Sequence, residues 1–119
     1  MARRRRPVFA PSEAAIAAAV LQHWLALGVP GSLVAAIPNA FAHGQAGLTK
    51  GLPDLLVLAP GLPVGFIELK KDATSPVSNA QREFGALCAR LGVRFAICSG
   101  RDEPIQLLEQ WNVVRRAAA

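Results

Sequence analysis

The sequence predicts an α/β fold in which one mixed sheet is flanked by helices. Three observations predict it. Two apolar runs, Gly51-Leu-Pro-Asp54-Leu-Leu-Val-Leu58 and Val64-Gly-Phe-Ile-Glu68-Leu-Lys70, have the length and residue types of strands. Pro60-Gly61-Leu62-Pro63 separates them and reads as a turn, so the pair forms an antiparallel hairpin. A further apolar run, Val93 to Cys98, lies beyond a helix and returns to the sheet through that crossover. At 119 residues the chain makes one domain, which buries roughly two-thirds of its unfolded surface.

Residues 1–11 read as a basic arm, 12–112 as the domain and 113–119 as a short tail. Arg3, Arg4, Arg5 and Arg6 fit two readings, a solubilising arm or a contact with nucleic-acid backbone. Ser12 to Leu27 is a helix, started by Pro11-Ser12 and ended by Gly28. Ile16, Val20, Trp24 and Leu27 form its apolar stripe, and Glu13 extends that stripe by one turn. Glu13 is either a first-turn glutamate favoured by the helix dipole or a third acid reaching toward Asp54 and Glu68. His23 lies off the stripe and reads as a surface or packing residue.

Ser32 to Ile37 is a short strand closed by Pro38-Asn39. Ala40 to Lys50 is a glycine-containing loop that suits a substrate-facing position. His43 in it is a candidate general base, and Lys50 a candidate phosphate contact four residues before Asp54. After the hairpin come Lys71 and Asp72. Ser78-Asn-Ala-Gln81 then fits a capping box, with Gln81 three residues after the cap. Gln81, Phe84, Cys88 and Leu91 share the face that should cover the sheet. Gly92 ends this helix. Val93 to Cys98 carries almost no polar residue after Arg94, which predicts a central strand. A last helix spans about Asp102 to Gln110, with Leu107, Leu108 and Trp111 packing back.

The chain is basic, +5 with a pI near 10.3, although only 18% of its residues are charged, which suits a polyanionic partner. Cys88 and Cys98 sit in apolar runs without CxxC spacing and read as reduced, buried thiols. No apolar stretch has transmembrane length, and the arginine run is followed by Pro7 rather than a signal-peptide core; a cytoplasmic protein is expected.

Asp54 stands at the mouth of the first hairpin strand, and Glu68 and Lys70 leave one face of the second. Two carboxylates and an ammonium therefore converge where an apolar pair would be ordinary, and buried charge is tolerated when paired or bound to metal. Two carboxylates can hold Mg2+ or Mn2+, with water completing the octahedron. Lys70 could orient a water or neutralise charge developing on a phosphate.

Pro53-Asp54, thirteen intervening residues and Glu68-Leu-Lys70 resemble the PD-(D/E)xK nuclease signature. More narrowly, Glu13, Ile37-Pro-Asn39, Gly51-Leu-Pro-Asp54, Phe66-Ile-Glu68-Leu-Lys70 and Ser78-Asn-Ala-Gln81 are similar to the motifs of the VRR-NUC nucleases, over Ser12 to about Gln110. The resemblance implies a restriction-endonuclease-like αβββαβ core and a Mg2+- or Mn2+-dependent endodeoxyribonuclease. It implies metal held by Asp54, Glu68 and the Leu69 carbonyl, with Lys70 serving the nucleophilic water and Gln81 and Glu13 beside them. Arg3 to Arg6, Lys50, His43 and Lys71 would face the nucleic acid. The small stand-alone members of bacteria and phages imply a homodimer acting on branched DNA such as a Holliday junction. In place of the family's frequent Gly and Arg after Asn39, the chain has Ala40-Phe-Ala-His43-Gly44. A non-catalytic DNA-binding or repair-scaffold protein of the same fold is the alternative expectation.

Overall fold

The computed structural model describes residues 11–38 and 49–116, arranged as α1 (Glu13–Leu27), β1 (Leu33–Ala36), β2 (Leu55–Ala59), β3 (Leu62–Lys70), α2 (Asn79–Leu91), β4 (Arg94–Ser99) and α3 (Asp102–Gln110). Arg3 to Arg6, Asn39 and His43 lie outside the described residues.

Local chemistry sets the element ends. The Ser12 hydroxyl accepts a hydrogen bond from the Ala15 N–H at 3.1 Å, which caps α1. Helix α1 stops at Gly28, where a Cβ would stand 2.6 Å from both the Trp24 carbonyl and the Trp24 indole nitrogen. The Ser78 hydroxyl and the Gln81 amide form a reciprocal capping box on α2, and left-handed Gly92 closes that helix. The hairpin turn is only Pro60-Gly61, so β3 begins earlier than its apolar run suggests, at Leu62.

The sheet order is β1-β2-β3-β4, antiparallel except for the β3–β4 pair. One face buries Val34, Leu55, Val57, Ile67, Leu69 and Cys98 beneath Ile16 and Val20 of α1 and Leu108 of α3. Leu55 and Ile67 face each other across the hairpin with no exposed surface. Cutting either to Ala should cost about 2–5 kcal/mol. The opposite face carries Phe66 and Phe95, which pack edge-on against Phe84 of α2.

Strand β4 is an edge strand, not the central one its apolar run suggests. Helix α2 packs against it on one face and α3 on the other. An apolar run reports covered faces, and covered faces do not require a strand on each side. Leu91 also departs from expectation. It is 68% exposed at the last turn of α2, while Cys88 on the same stripe is buried. The chain continues to pack beyond residue 112. Val113 and Val114 are buried, and the Val29 N–H donates to the Val113 carbonyl at 2.9 Å. Cys88 and Cys98 are free and buried, as expected. Burial raises both thiols, Cys98 to about 11, so both stay protonated and unreactive at neutral pH.

Candidate active site

The β2–β3 register builds the site. Leu55 pairs with Ile67 and Leu56 with Phe66. One step further, past the end of β2, the same register sets Asp54 opposite Glu68. Both ends of Asp54 are anchored. Its carbonyl accepts from the Ile37 N–H at 2.7 Å, and its Oδ2 accepts from the Leu69 N–H at 2.7 Å. Amide and carbonyl of one strand residue point to the same side. The Lys70 carbonyl accepts from the Gly100 N–H on the β4 side, so the Leu69 carbonyl points to the Asp54 side.

Glu68 and Lys70 emerge together on the other face of β3, only 3% and 7% exposed. Gln81, at the first turn of α2, ties them to each other. Its Nε2 donates to Glu68 Oε2 at 2.6 Å, and its Oε1 accepts from Lys70 Nζ at 2.9 Å. The same Oε1 accepts from the Ser78 N–H at 3.1 Å. The capping box thus fixes which end of the amide faces which charge. Lys70 Nζ itself lies 3.6 Å from Glu68 Oε2.

Gly51 locks this arrangement from the β2 side. Its φ is +82°, and a Cβ would meet the Ala80 backbone carbon at 2.5 Å. Only glycine both adopts that conformation and lets the approach to Asp54 lie against the first turn of α2. Gly51→Ala should lower stability by about 1–3 kcal/mol, read as the shift in the urea midpoint. An unchanged midpoint would contradict the contact.

The electrostatics are frustrated. Burial, then the hydrogen bond and negative charge of Asp54, push the Glu68 carboxyl up to about 8, against the pull of Lys70. The charge of Glu13 adds to the rise. Glu13 is exposed rather than on the core stripe, because the first turn of α1 projects past the sheet end. It lines the same cleft of about 400 Å³ as Ile37, Asp54, Glu68 and Gln81. Lys50 and Lys71 are exposed at this end of the sheet and bond to none of these groups.

Among the described residues no group of three or more His, Cys, Asp or Glu side chains gathers as a ready cage. The donor set still fits a hard divalent cation. Burial and then the neighbouring Asp54 carboxylate favour a proton on Glu68 that a cation would replace, a strand carbonyl points to their side, and Mg2+ keeps several waters rather than filling its shell from protein.

Sequence reasoning assigned only the carbonyl of Leu69 and missed its N–H as the anchor of Asp54. The signal was Pro53, which has no N–H and falls opposite Leu69 in the extended register. A second cleft, of about 440 Å³, lies between α1 and α3. His23 lines it with a buried Nε2 that has no hydrogen-bond partner among the described residues, and no carboxylate pair converges there.

The VRR-NUC domain profile matches residues 16–102. No curated protein matches the chain. Among solved structures, a VRR_NUC domain protein is 24% identical, with a TM-score of 0.74, covering 87% of this chain and 90% of the other. A second VRR_NUC domain, also 24% identical, has a TM-score of 0.62 and covers 83% and 96%. These two similarities establish a shared fold.

Proposed function

The chain belongs to the VRR-NUC family, within the PD-(D/E)xK nuclease superfamily, and on that premise we propose that it is a Mg2+- or Mn2+-dependent, structure-selective DNA endonuclease. The observation that carries the reading is the Glu68–Gln81–Lys70 bridge set opposite Asp54. A purely DNA-binding surface has no use for two mutually repelling carboxylates at the root of a cleft.

Asp54, Glu68 and the Leu69 carbonyl would hold the cation. Once bound, it would supply Lewis acidity toward a phosphoryl oxygen and acidify water. The residues of the chain do the rest. Asp54 is held rigid by its bond from the Leu69 N–H. Gln81 keeps Glu68 and Lys70 in fixed relation. As a neutral amide, it orients two opposite charges without titrating. Lys70 directs its remaining N–H donors toward the water and the charge building on the phosphate. Glu13 borders the cleft and adds its negative charge to the field at Glu68.

Ser12, the residue after the basic arm, caps α1, and Glu13 lines the cavity. Arg3 to Arg6 add sequence-independent affinity for the backbone in this reading. A chain beginning at Ser12 should still cut, bind more weakly, and lose about 0.9 from its salt slope for each phosphate contact removed. An unchanged slope between 50 and 200 mM salt would make the arm solubilising only.

The substrate reading is branched DNA, of the Holliday-junction kind, cut by a homodimer in the cytoplasm. Paired nicks require paired sites, and a two-fold dimer supplies them. Leu87 and Leu91 of α2 and Ile97 of edge strand β4 are exposed apolar residues that such contact could cover. No described helix is long and apolar enough to cross a membrane. Light scattering at micromolar concentration should give twice the chain mass, and four-way DNA should be nicked in pairs on opposing arms. A monomer making unpaired nicks at random duplex sites would reject both halves.

A further inference from the structure

The fold separates charge along the sheet. Strands β3 and β4 end, and α1, α2 and α3 begin, at the end of the sheet that carries the cleft. Every acidic residue except Glu109 lies in that half of the molecule, where the described cations are Lys50, Lys70, Lys71, Arg82 and Arg101. The opposite end, where the three helices finish, holds Arg90, Arg94, Arg115 and Arg116 against Glu109 alone. All four arginines are exposed. Among the described residues none of them has a carboxylate within 4 Å, the ion pairs being Lys70–Glu68 and Arg101–Asp102.

Two of them, Arg94 and Arg116, border adjoining surface. Arg94 borders a small cleft with Gln110 and Trp111, and Arg116 borders the adjoining one, which also includes Gln110. Favourable placement at a helix C-terminus explains Arg90, which is in the last turn of α2. It does not explain the others. Arg94 opens a strand, and Arg115 and Arg116 follow the buried Val113-Val114. The fixed backbone beneath them holds their charge in place, with the Arg115 N–H donating to the Leu27 carbonyl at 2.8 Å.

We propose that the arginine end, Arg94, Arg115 and Arg116 with Arg90 beside them, is a second DNA-backbone contact that holds a different duplex segment from the one in the cleft. The inference rests on the nuclease reading and extends it to substrate shape. At about 1.5 Å per residue, α1 carries the chain roughly 21 Å from Glu13 at the cleft to Leu27, whose carbonyl holds the Arg115 N–H, while Arg94 starts level with Gly65, about 10 Å along the sheet from Glu68, and borders the Pro60-Gly61 turn beyond it. DNA is stiff, with a persistence length of roughly 150 base pairs, so one short duplex across the cleft does not curl round to the far end. A branched substrate offers a second arm without that bend. Engaging both contacts then gains from effective concentration, which a short linear duplex cannot provide.

The test is R94Q/R115Q/R116Q in the full chain, with folding checked by its thermal midpoint. Binding is measured by fluorescence anisotropy in EDTA, to a four-way junction and to a linear duplex of one arm's length, from 50 to 200 mM salt. The expected result is at least a tenfold loss on the junction and a salt slope shallower by about 2–3, at about 0.9 per phosphate. The linear duplex should change less than twofold, and single-turnover cleavage of that duplex should be unaltered. Equal loss on both DNAs would overturn the proposal, placing the arginines on the same duplex as the cleft. No loss on either would leave them as solvated charge or a contact for an acidic protein, and would also overturn it. A native chain that binds neither DNA removes the nuclease reading and this inference together; native binding with an unchanged variant removes this inference alone.

Discussion

Glu68→Gln drops turnover by at least about 10³-fold, a loss of roughly 4 kcal/mol of transition-state stabilisation, while leaving metal-free DNA binding in place. The substitution keeps the shape and the hydrogen bond from Gln81 but removes the charge. Its second effect points the other way. The Glu68 carboxyl is raised from 4.5 to about 8 by burial and by Asp54, so the folded chain holds its proton more tightly than the unfolded chain. That contribution to stability is complete below about pH 4.5 and is lost as pH rises through about 8. The metal-free native protein should therefore melt at lower temperature at pH 8.5 than at pH 5.5, and Glu68→Gln should flatten that fall. Adding Mg2+ or Mn2+ at about 100 times its Kd at pH 8.5 should raise the native midpoint by roughly 10 °C and leave the variant unmoved. Equal metal-induced shifts in both proteins would remove Glu68 from the site. Asp54→Ala should behave alike in turnover, with a further loss of order at Leu69, whose N–H it accepts.

Lys70→Ala should lose about 10²–10³-fold in turnover at saturating metal, with the metal midpoint moving little. Lys70 is 7% exposed and its ammonium is held by Gln81 Oε1, so its position is set by the fold and not by solvent. Without it, Glu68 loses the one charge that pulls its carboxyl down, and Gln81 keeps only its bond from the Ser78 N–H at that oxygen. Lys70→Arg should not restore activity, because a planar, wider fork cannot occupy the small gap between Gln81 and Glu68. A variant that needs more metal but recovers full turnover once saturated would assign Lys70 to metal binding instead.

The parts legible in the sequence were those with short-range chemical signatures. The capping box at Ser78 and Gln81 announced both the start of α2 and the residue that bridges the site. The Asp54 and Glu68-Leu-Lys70 spacing announced the hairpin that brings the two runs together, but not its register: the two-residue turn pairs Ala59 with Leu62, and a bulge between Val57 and Ala59 gives the pairing that sets Asp54 opposite Glu68. What escaped depended on where elements sit relative to the sheet ends. Glu13 follows the helical period of its core stripe, yet the stripe outruns the sheet and leaves it in the cleft rim. The apolar content of β4 could not distinguish two covered faces from two flanking strands. The Leu69 N–H carries no side-chain signal, and only the register exposes it. The charge separation between the ends of the sheet is likewise invisible to a count that reads only +5.

One cleavage assay tests most directly whether Asp54 and Glu68 form a divalent-metal nuclease site. Native chain and Glu68→Gln are incubated with nicked, flapped, forked and four-way DNA, each with Mg2+, Mn2+ or EDTA. The expected result is cleavage by the native chain with either metal, greatest on four-way DNA, none in EDTA and none by the variant. Cleavage that survives EDTA, or that Glu68→Gln retains in full, would contradict it.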